Sequence, residues 1–348
     1  MWFTSDNATG AAPEILAALA EVNPGHTGGY GADDASERAQ ARVREVFEAP
    51  EARAYTVATG TAANALALAV LCPPWGSVYC HDVSHIEVDE CGAPEFFTGG
   101  AKLVKLDGAH AKLSATAVAE AVRTTGALGV HNVQKGAISL TQVTERGAAY
   151  TLEEICSFGE IARAHGIPLH MDGTRFANAV AAGFGSPAEM SWQAGVDVLC
   201  LGATKNGALA AETVIFFDPA QAWEFELRRK RGGHLFSKMR FLSAQVEAFL
   251  TDGLWLRLAG QANAMAARLA AGLRAAGVAP TNRVDANMIF ATITVGQHRR
   301  LAAAGARYYA ENPAQDPDGP DGAPLDIRLV TSFATTEAEV DGFLAALG

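Results

Sequence analysis

The sequence has little positive charge to offer a phosphate backbone. Against 38 acidic residues it sets only 27 lysines and arginines, for a net charge of -11. Its one basic run, Arg228-Arg229-Lys230-Arg231, is four residues long. A chain of this balance repels nucleic acid, which is therefore not an expected partner. Cysteine is also scarce: Cys72, Cys80, Cys91, Cys156 and Cys200 make an odd number with no CxxC pair. That argues against a disulfide framework and against a zinc site, so no metal is expected and a reducing, cytoplasmic setting is. The start, Met1-Trp2-Phe3-Thr4-Ser5-Asp6, has neither a basic n-region nor an apolar h-region. The best candidate for a membrane span is the uncharged stretch Ala54 to Cys80. It is broken by Gly60, Asn64, Pro73, Pro74 and Gly76, and its apolar core, Ala65 to Cys72, is too short to cross a bilayer. No membrane partner and no internal repeat are expected.

What is present is an ordinary globular chain, 348 residues long, 49% apolar and 19% charged. At ~150 residues per domain its length suits two domains. Pro13 to Val22 and Ser36 to Phe47 read as helices, with Ser36 as the N-cap of the second, and a glycine-rich loop with Tyr30 lies between them. Strand candidates are Tyr55-Val57, Ser77-Cys80, Lys102-Leu106, Ala137-Thr141, Pro168-Met171, Val196-Leu201 and Thr213-Phe217. Helices fit between them at His85-Cys91, Ser114-Thr124, Leu152-His165 and Phe176-Ala182. This alternation predicts an α/β fold with a largely parallel sheet covered on both faces. Beyond Gly233 the texture changes: a long helical stretch from Met239 to Ala276 breaks near Asp252-Gly253. Strands follow at Met288-Thr294 and Ile327-Thr331, a Pro/Gly/Asp-rich loop at Asn312 to Pro324, and a last helix at Glu337-Leu347. The expected division is a large domain over residues 12–235 and a small one over 236–348, joined by the N-terminal segment 1–11.

Two strand ends carry the strongest chemical signal. His170-Met171-Asp172-Gly173-Thr174-Arg175 ends an apolar run in a carboxylate. Leu201-Gly202-Ala203-Thr204-Lys205-Asn206-Gly207 ends another in a lysine. Ligands of parallel sheets bind beyond the carboxyl ends of the strands. A lysine and a carboxylate there are what a protein needs to hold pyridoxal phosphate: the lysine joins the aldehyde, and the carboxylate keeps the pyridine nitrogen protonated. Each has a plainer explanation, a solvated lysine and a helix N-cap, and the pairing favours the functional one. Gly60 and Thr61 open a helix after a strand, where an anion such as a phosphate can sit. His85 is either locally bonded at a helix start or stacked on a cofactor ring as a general base. Arg175 and Arg328 are either surface charges or carboxylate partners. The basic run ending at Arg231 reads as a solvated helix end capped by Gly232.

The chain resembles the L-threonine aldolase family, most of all its low-specificity and phenylserine branch, within the aspartate-aminotransferase-like fold. The resemblance runs over nearly the whole length. It rests on Thr4-Ser5-Asp6-Asn7, Gly29-Tyr30-Gly31-Ala32-Asp33, Thr59-Gly60-Thr61-Ala62-Ala63-Asn64, and His85 with Asp89-Glu90-Cys91-Gly92-Ala93. It rests equally on the Asp172 and Lys205 segments, on Leu140-Thr141-Gln142-Val143-Thr144-Glu145, and on Leu227 to His234. It implies a seven-stranded, mostly parallel sheet with a smaller C-terminal α/β domain. It implies pyridoxal phosphate bound by Lys205, by Asp172 at the pyridine, by His85 stacked on the ring and by Gly60 and Thr61 at the phosphate. Ser5, Arg175 and Arg328 would hold the substrate carboxylate, Arg175 would also be within reach of the cofactor, and Tyr30 would lie near the site. Arg231 would reach a neighbouring subunit's cofactor phosphate, in a homotetramer with sites at a dimer interface. Two departures stand out. Ala203 replaces a glycine before the lysine, and Gln142 stands at the strand end where many members carry a second histidine; a glutamine there can hydrogen-bond a β-hydroxyl but cannot act as a base.

The implied activity is cleavage of the Cα–Cβ bond of L-threonine, L-allo-threonine or L-phenylserine to glycine and an aldehyde. Lys205 and His85, or a water His85 holds, would be the catalytic groups. Two alternatives remain open on the residues alone: a β-eliminating lyase or aminotransferase with the same cofactor, and a binding protein on this scaffold without catalysis.

Overall fold

A computed structural model describes all residues, 1–348. Seven strands form the main sheet: β1 Arg53–Val57, β2 Gly76–His81, β3 Lys102–Leu106, β4 Gln134–Thr141, β5 Leu169–Gly173, β6 Val198–Gly202 and β7 Glu212–Phe216. Their order is β1-β7-β6-β5-β4-β2-β3. The run from β3 to β6 is parallel, while β7 lies antiparallel to both β6 and β1. Every residue of β2, β5, β6 and β7 is buried. Strands covered on both faces lose all contact with water, which is why they read as continuous apolar runs rather than alternating ones.

The covering helices are shaped by local signals. Thr59 caps the helix Gly60–Leu71 by accepting from the Ala62 N–H. Thr151 and Glu154 form a reciprocal capping box on Leu152–His165, which Gly166 ends in a left-handed conformation. The second helix runs Asp34–Val46 and is capped by Asp33, not by Ser36. Ser36 instead gives its N–H to Asp33 Oδ1, and its hydroxyl pairs with Asp33 Oδ2 and Ser243. A short helix at Ala93–Thr98 and another at Val295–Ala303 add to the elements read from sequence.

The C-terminal part forms a second, antiparallel sheet of β8 Met288–Thr294, β9 Tyr309–Ala310 and β10 Pro324–Val330, in the order β8-β10-β9. The long helical stretch is broken as expected, into Arg240–Leu250 and Leu254–Ala275. The chain start belongs with this sheet: Phe3 hydrogen-bonds Arg307 and Val330 through its backbone and packs edge-on against Phe343 at 5.3 Å. Asp6, three residues on, accepts from Arg175, just after β5, and from Asn287, just before β8. No helix is long and apolar enough to cross a membrane.

Candidate active site

The register of the main sheet brings the chemistry together. Thr141 stands opposite Asp172, Asp172 opposite Cys200, and Gly202 opposite Glu212. Lys205 follows three residues beyond Gly202. Glycine is required at 202, because a Cβ there would fall 2.5 Å from the Thr174 carbonyl oxygen and 2.6 Å from its Cα. The absence of a side chain lets the β5 and β6 ends touch.

Asp172 is buried at 3% exposure. Burial opposes its ionisation, but its Oδ1 accepts from the Thr174 hydroxyl at 2.6 Å and N–H at 3.0 Å, and His85 adds positive charge nearby. The balance keeps the carboxyl below the usual range, so it is ionised at neutral pH. Its Oδ2 accepts from Asn64 Nδ2 at 3.0 Å. A Cβ built on Gly60 would lie 3.9 Å from Thr174 Oγ1, so the helix that Gly60 and Thr61 open starts beside this carboxylate. The first N–H groups of such a helix have no partner within it. Below Asp172, His170 bonds Ser139 and Cys200, and burial lowers its pKa to about 4, leaving it neutral.

A cavity of about 630 Å³ opens over this end of the sheet, at the seam with the second sheet. Ser5, His85, Glu145, Arg175, Lys205 and Arg328 are among its walls. Burial, reinforced by the Arg175 charge, holds the Lys205 ammonium below the usual lysine range. Lys205 makes no ion pair in the chain. Arg328, on β10, has its guanidinium 6.0 Å from the Tyr309 ring centre and likewise makes no ion pair or hydrogen bond. Burial and Arg175 both press its pKa downward. Two cations that make no ion pair with the acids of the chain, at one cavity, are the complement of a ligand that brings negative charge.

Arg175 is less free than the sequence implies. Its Nε and Nη2 form a bidentate pair with Asp6 at 2.7 and 2.9 Å, and Asn287 also donates to Asp6. Only Nη1 is left without a partner in the chain. Gln142 requires a correction. It is fully buried, donates to the Tyr150 carbonyl at 3.0 Å and accepts from the Tyr150 N–H at 2.9 Å. Both ends of its amide are consumed in holding a loop, so it is not at the cavity to meet a hydroxyl. Tyr30 and Arg231 lie on two other cavities of this chain, away from Lys205.

Residues that the sequence reading passed over complete the site. His85 Nδ1 meets Glu90 Oε1 at 2.8 Å, and the same oxygen accepts from Asn64. This partner raises the His85 pKa against the opposing effect of burial. Glu145 Oε1 accepts from the His85 N–H at 2.8 Å and the Thr141 hydroxyl at 3.0 Å. Glu212 accepts from the Ala203 N–H at 2.9 Å, and burial pushes its pKa up to about 7. Of the three only Glu212 carried a local signal, an acidic residue at the head of the apolar run to Phe217, whereas Glu90 and Glu145 lie in polar segments.

A family model described as beta-eliminating lyase matches residues 3–295. The chain belongs to the beta-eliminating lyase family. Within it, the low specificity L-threonine aldolase of Pseudomonas aeruginosa is 42% identical over 309 residues, 88% of each chain. That of a second Pseudomonas strain is 39% identical over 340 residues, 97% of this chain and 94% of the relative. Among solved structures, the threonine aldolase of Leishmania major superposes with a TM-score of 0.92 at 28% identity, covering 99% of this chain and 98% of that one. Serine palmitoyltransferase of Sphingomonas wittichii, at 16% identity and a TM-score of 0.72, shares the fold. The fold is thus the aspartate-aminotransferase-like one, as expected, and beta-eliminating lyases of this kind depend on pyridoxal phosphate.

The residues present fit that cofactor. The ionised Asp172 suits a protonated ring nitrogen, Lys205 Nζ makes no ion pair, and a helix start stands beside Asp172 for a phosphate. Asn64 Oδ1, Glu90 Oε2 and Glu145 Oε2 are buried without partners around the same point. Orphaned polar atoms are costly unless something else satisfies them.

Proposed function

We propose that this protein is a pyridoxal-phosphate-dependent aldolase that splits L-β-hydroxy-α-amino acids into glycine and an aldehyde. The observation that carries the reading is the shared cavity of Lys205 and Arg328, two cations without acidic partners. The comparisons support the same reading through relatives named for threonine. Lys205 would hold the cofactor, Asp172 would pair with its ring nitrogen, and Gly60 and Thr61 would receive its phosphate at the helix start. When bound, the cofactor supplies an electron sink for the bond that breaks.

The chain's own residues supply binding and direction. Arg328 would take the substrate carboxylate, with Arg175 Nη1 and Ser5 beside it, and so would fix how the substrate's Cα is turned toward the cofactor. Asp6 anchors Arg175, so the carboxylate site is held by a buried ion pair rather than by a loose side chain. His85, held by Glu90, would stack on the ring. L-Threonine, L-allo-threonine and L-phenylserine are the substrates to test.

We also read residues 12–235 as the large domain and 236–348 with 1–11 as the small one, on the separation of their sheets. We extend the proposal to a homotetramer with sites at a dimer interface, which the exposed Phe96 and Leu227 beside Arg231, and the exposed Tyr30, support. The five free cysteines support a cytoplasmic setting. The direct test is Lys205→Ala. Turnover of all three substrates should disappear, along with the visible absorbance of bound cofactor. A Lys205→Ala protein with parental turnover would end the proposal.

A further inference from the structure

The aldol reading leaves one proton without an acceptor. Cleavage requires that the β-hydroxyl lose its proton as the Cα–Cβ bond breaks, and the two residues considered for that oxygen are poorly placed to take it. Gln142 is locked against Tyr150. His85 has Nδ1 on Glu90 at 2.8 Å and Nε2 at 3.5 Å from Asp89. A histidine between two carboxylates is held toward its protonated form and has little capacity for another proton.

Glu145 lines the same cavity as Lys205, His85 and Arg328. Its carboxylate is oriented by donors from two separate elements, the His85 backbone N–H and the Thr141 hydroxyl, and both bind Oε1. Oε2 is buried and has no partner. A buried carboxylate oxygen without a donor is costly, and the cost is relieved when a substrate hydroxyl donates to it. Glu90 also has a free oxygen, but it stands behind His85 and does not line the cavity. The charged and titratable groups that share the cavity with Glu145 are His85, Asp89, Arg146, Arg175, Lys205, Tyr309, Glu311 and Arg328, and Asp172 acts on it from β5. Burial dominates this environment and raises the carboxyl's affinity for a proton, with Asp172 adding to the effect.

We propose that Glu145 Oε2 is the general base that accepts the β-hydroxyl proton. This rests on the aldol reading above. The hydroxyl O–H bond breaks and its proton passes to Glu145. The electron pair it leaves forms the aldehyde C=O, and the Cα–Cβ pair stays on Cα, delocalised by the cofactor. Protonation of Cα then completes glycine, so the overall reaction neither gains nor loses a proton.

Glu145→Gln tests this in the holoenzyme, because it keeps an oxygen for His85 and Thr141 and removes the proton acceptor. With L-threonine and L-phenylserine, kcat should fall by roughly 10²–10⁴-fold. KM and the absorbance of bound cofactor should change little, and the acid limb of the kcat–pH profile should vanish. A kcat close to the parental value would overturn the proposal. If Glu145→Gln does not fold or loses cofactor, Thr141→Val decides. Losing one donor destabilises the ionised carboxylate, so the acid limb must move to higher pH; a limb that stays in place overturns the role. If the parental holoenzyme releases no aldehyde, the aldol reading fails and takes this proposal with it. Parental cleavage beside an unimpaired Glu145→Gln removes the role of Glu145 alone.

Discussion

Arg328 separates binding from chemistry more cleanly than any other side chain of the cavity. It has no partner in the chain, so its removal breaks nothing structural and leaves no orphaned carboxylate. Arg328→Ala should therefore leave the fold intact and weaken the hold on a substrate carboxylate. Hydrogen bonds to charged groups contribute about 1.5–3 kcal/mol, or about 10–150-fold in kcat/KM. Most of that should appear in KM, measured by steady-state kinetics. Arg175 differs in kind. Its pairing with Asp6, buried at 2% exposure, makes it a structural ion, and truncating either partner strands a buried charge. The sequence showed an arginine after Asp172 but could not show its partner 169 residues away. Gln142 and Glu145 illustrate the same limit at close range. They are three residues apart on one strand exit, and only the path of the backbone decides which side chain enters the cavity.

At the scale of elements, the strand ends act as a frame for the charges. Glu212, near the start of β7, accepts from the backbone beside Lys205, and its carboxyl is raised from 4.5 to about 7 by burial. Between those two values the folded chain keeps a proton that the unfolded chain has lost. This group therefore costs stability as pH rises from about 4.5 to 7 and is constant above that, by an amount on the order of 3 kcal/mol. Denaturant unfolding at pH 5 and pH 8 should show this fall in the parent and a smaller one in Glu212→Gln. Gly202→Ala probes the frame itself. Its methyl meets the Thr174 backbone, which cannot give way as a flexible side chain would. A loss of about 1–3 kcal/mol is expected, with weakened cofactor retention, in thermal melts and absorbance. Much of this frame was legible in advance. Leu152–His165 and Glu337–Leu347 match their predicted limits because a capping box opens each and a glycine closes it, and the strand Lys102–Leu106 matches as well. The helix Ala93–Thr98 has no side-chain cap and only six residues to show a period. Val295–Ala303 does have a capping box, Thr294 with Gln297, but its mostly polar face hides it. The antiparallel turn of β7 leaves no local mark, because a strand buried on both faces reads alike in either direction.

For the whole molecule, function depends on the seam. Asp172 and Lys205 come from the main sheet, Arg328 from the second, and Asp6 from a chain start that is tied to the second sheet through Phe3. None of these alone distinguishes a cofactor cradle from an amino-acid site. Brought together around one cavity, they would hold a cofactor on one side and a carboxylate on the other, as cleavage at the substrate's Cα requires. The sequence carried the cofactor half of this plainly, because two motifs sit on neighbouring strand ends. The substrate half was less plain: Arg175 and Arg328 each read as a surface charge as readily as a carboxylate partner, because that half is assembled from positions far apart in the chain. The most direct test is a product balance on L-phenylserine and L-threonine with the purified holoenzyme. Glycine and the matching aldehyde should appear in equal amounts, with neither pyruvate nor ammonia. Keto acid and ammonia in place of glycine would contradict the account.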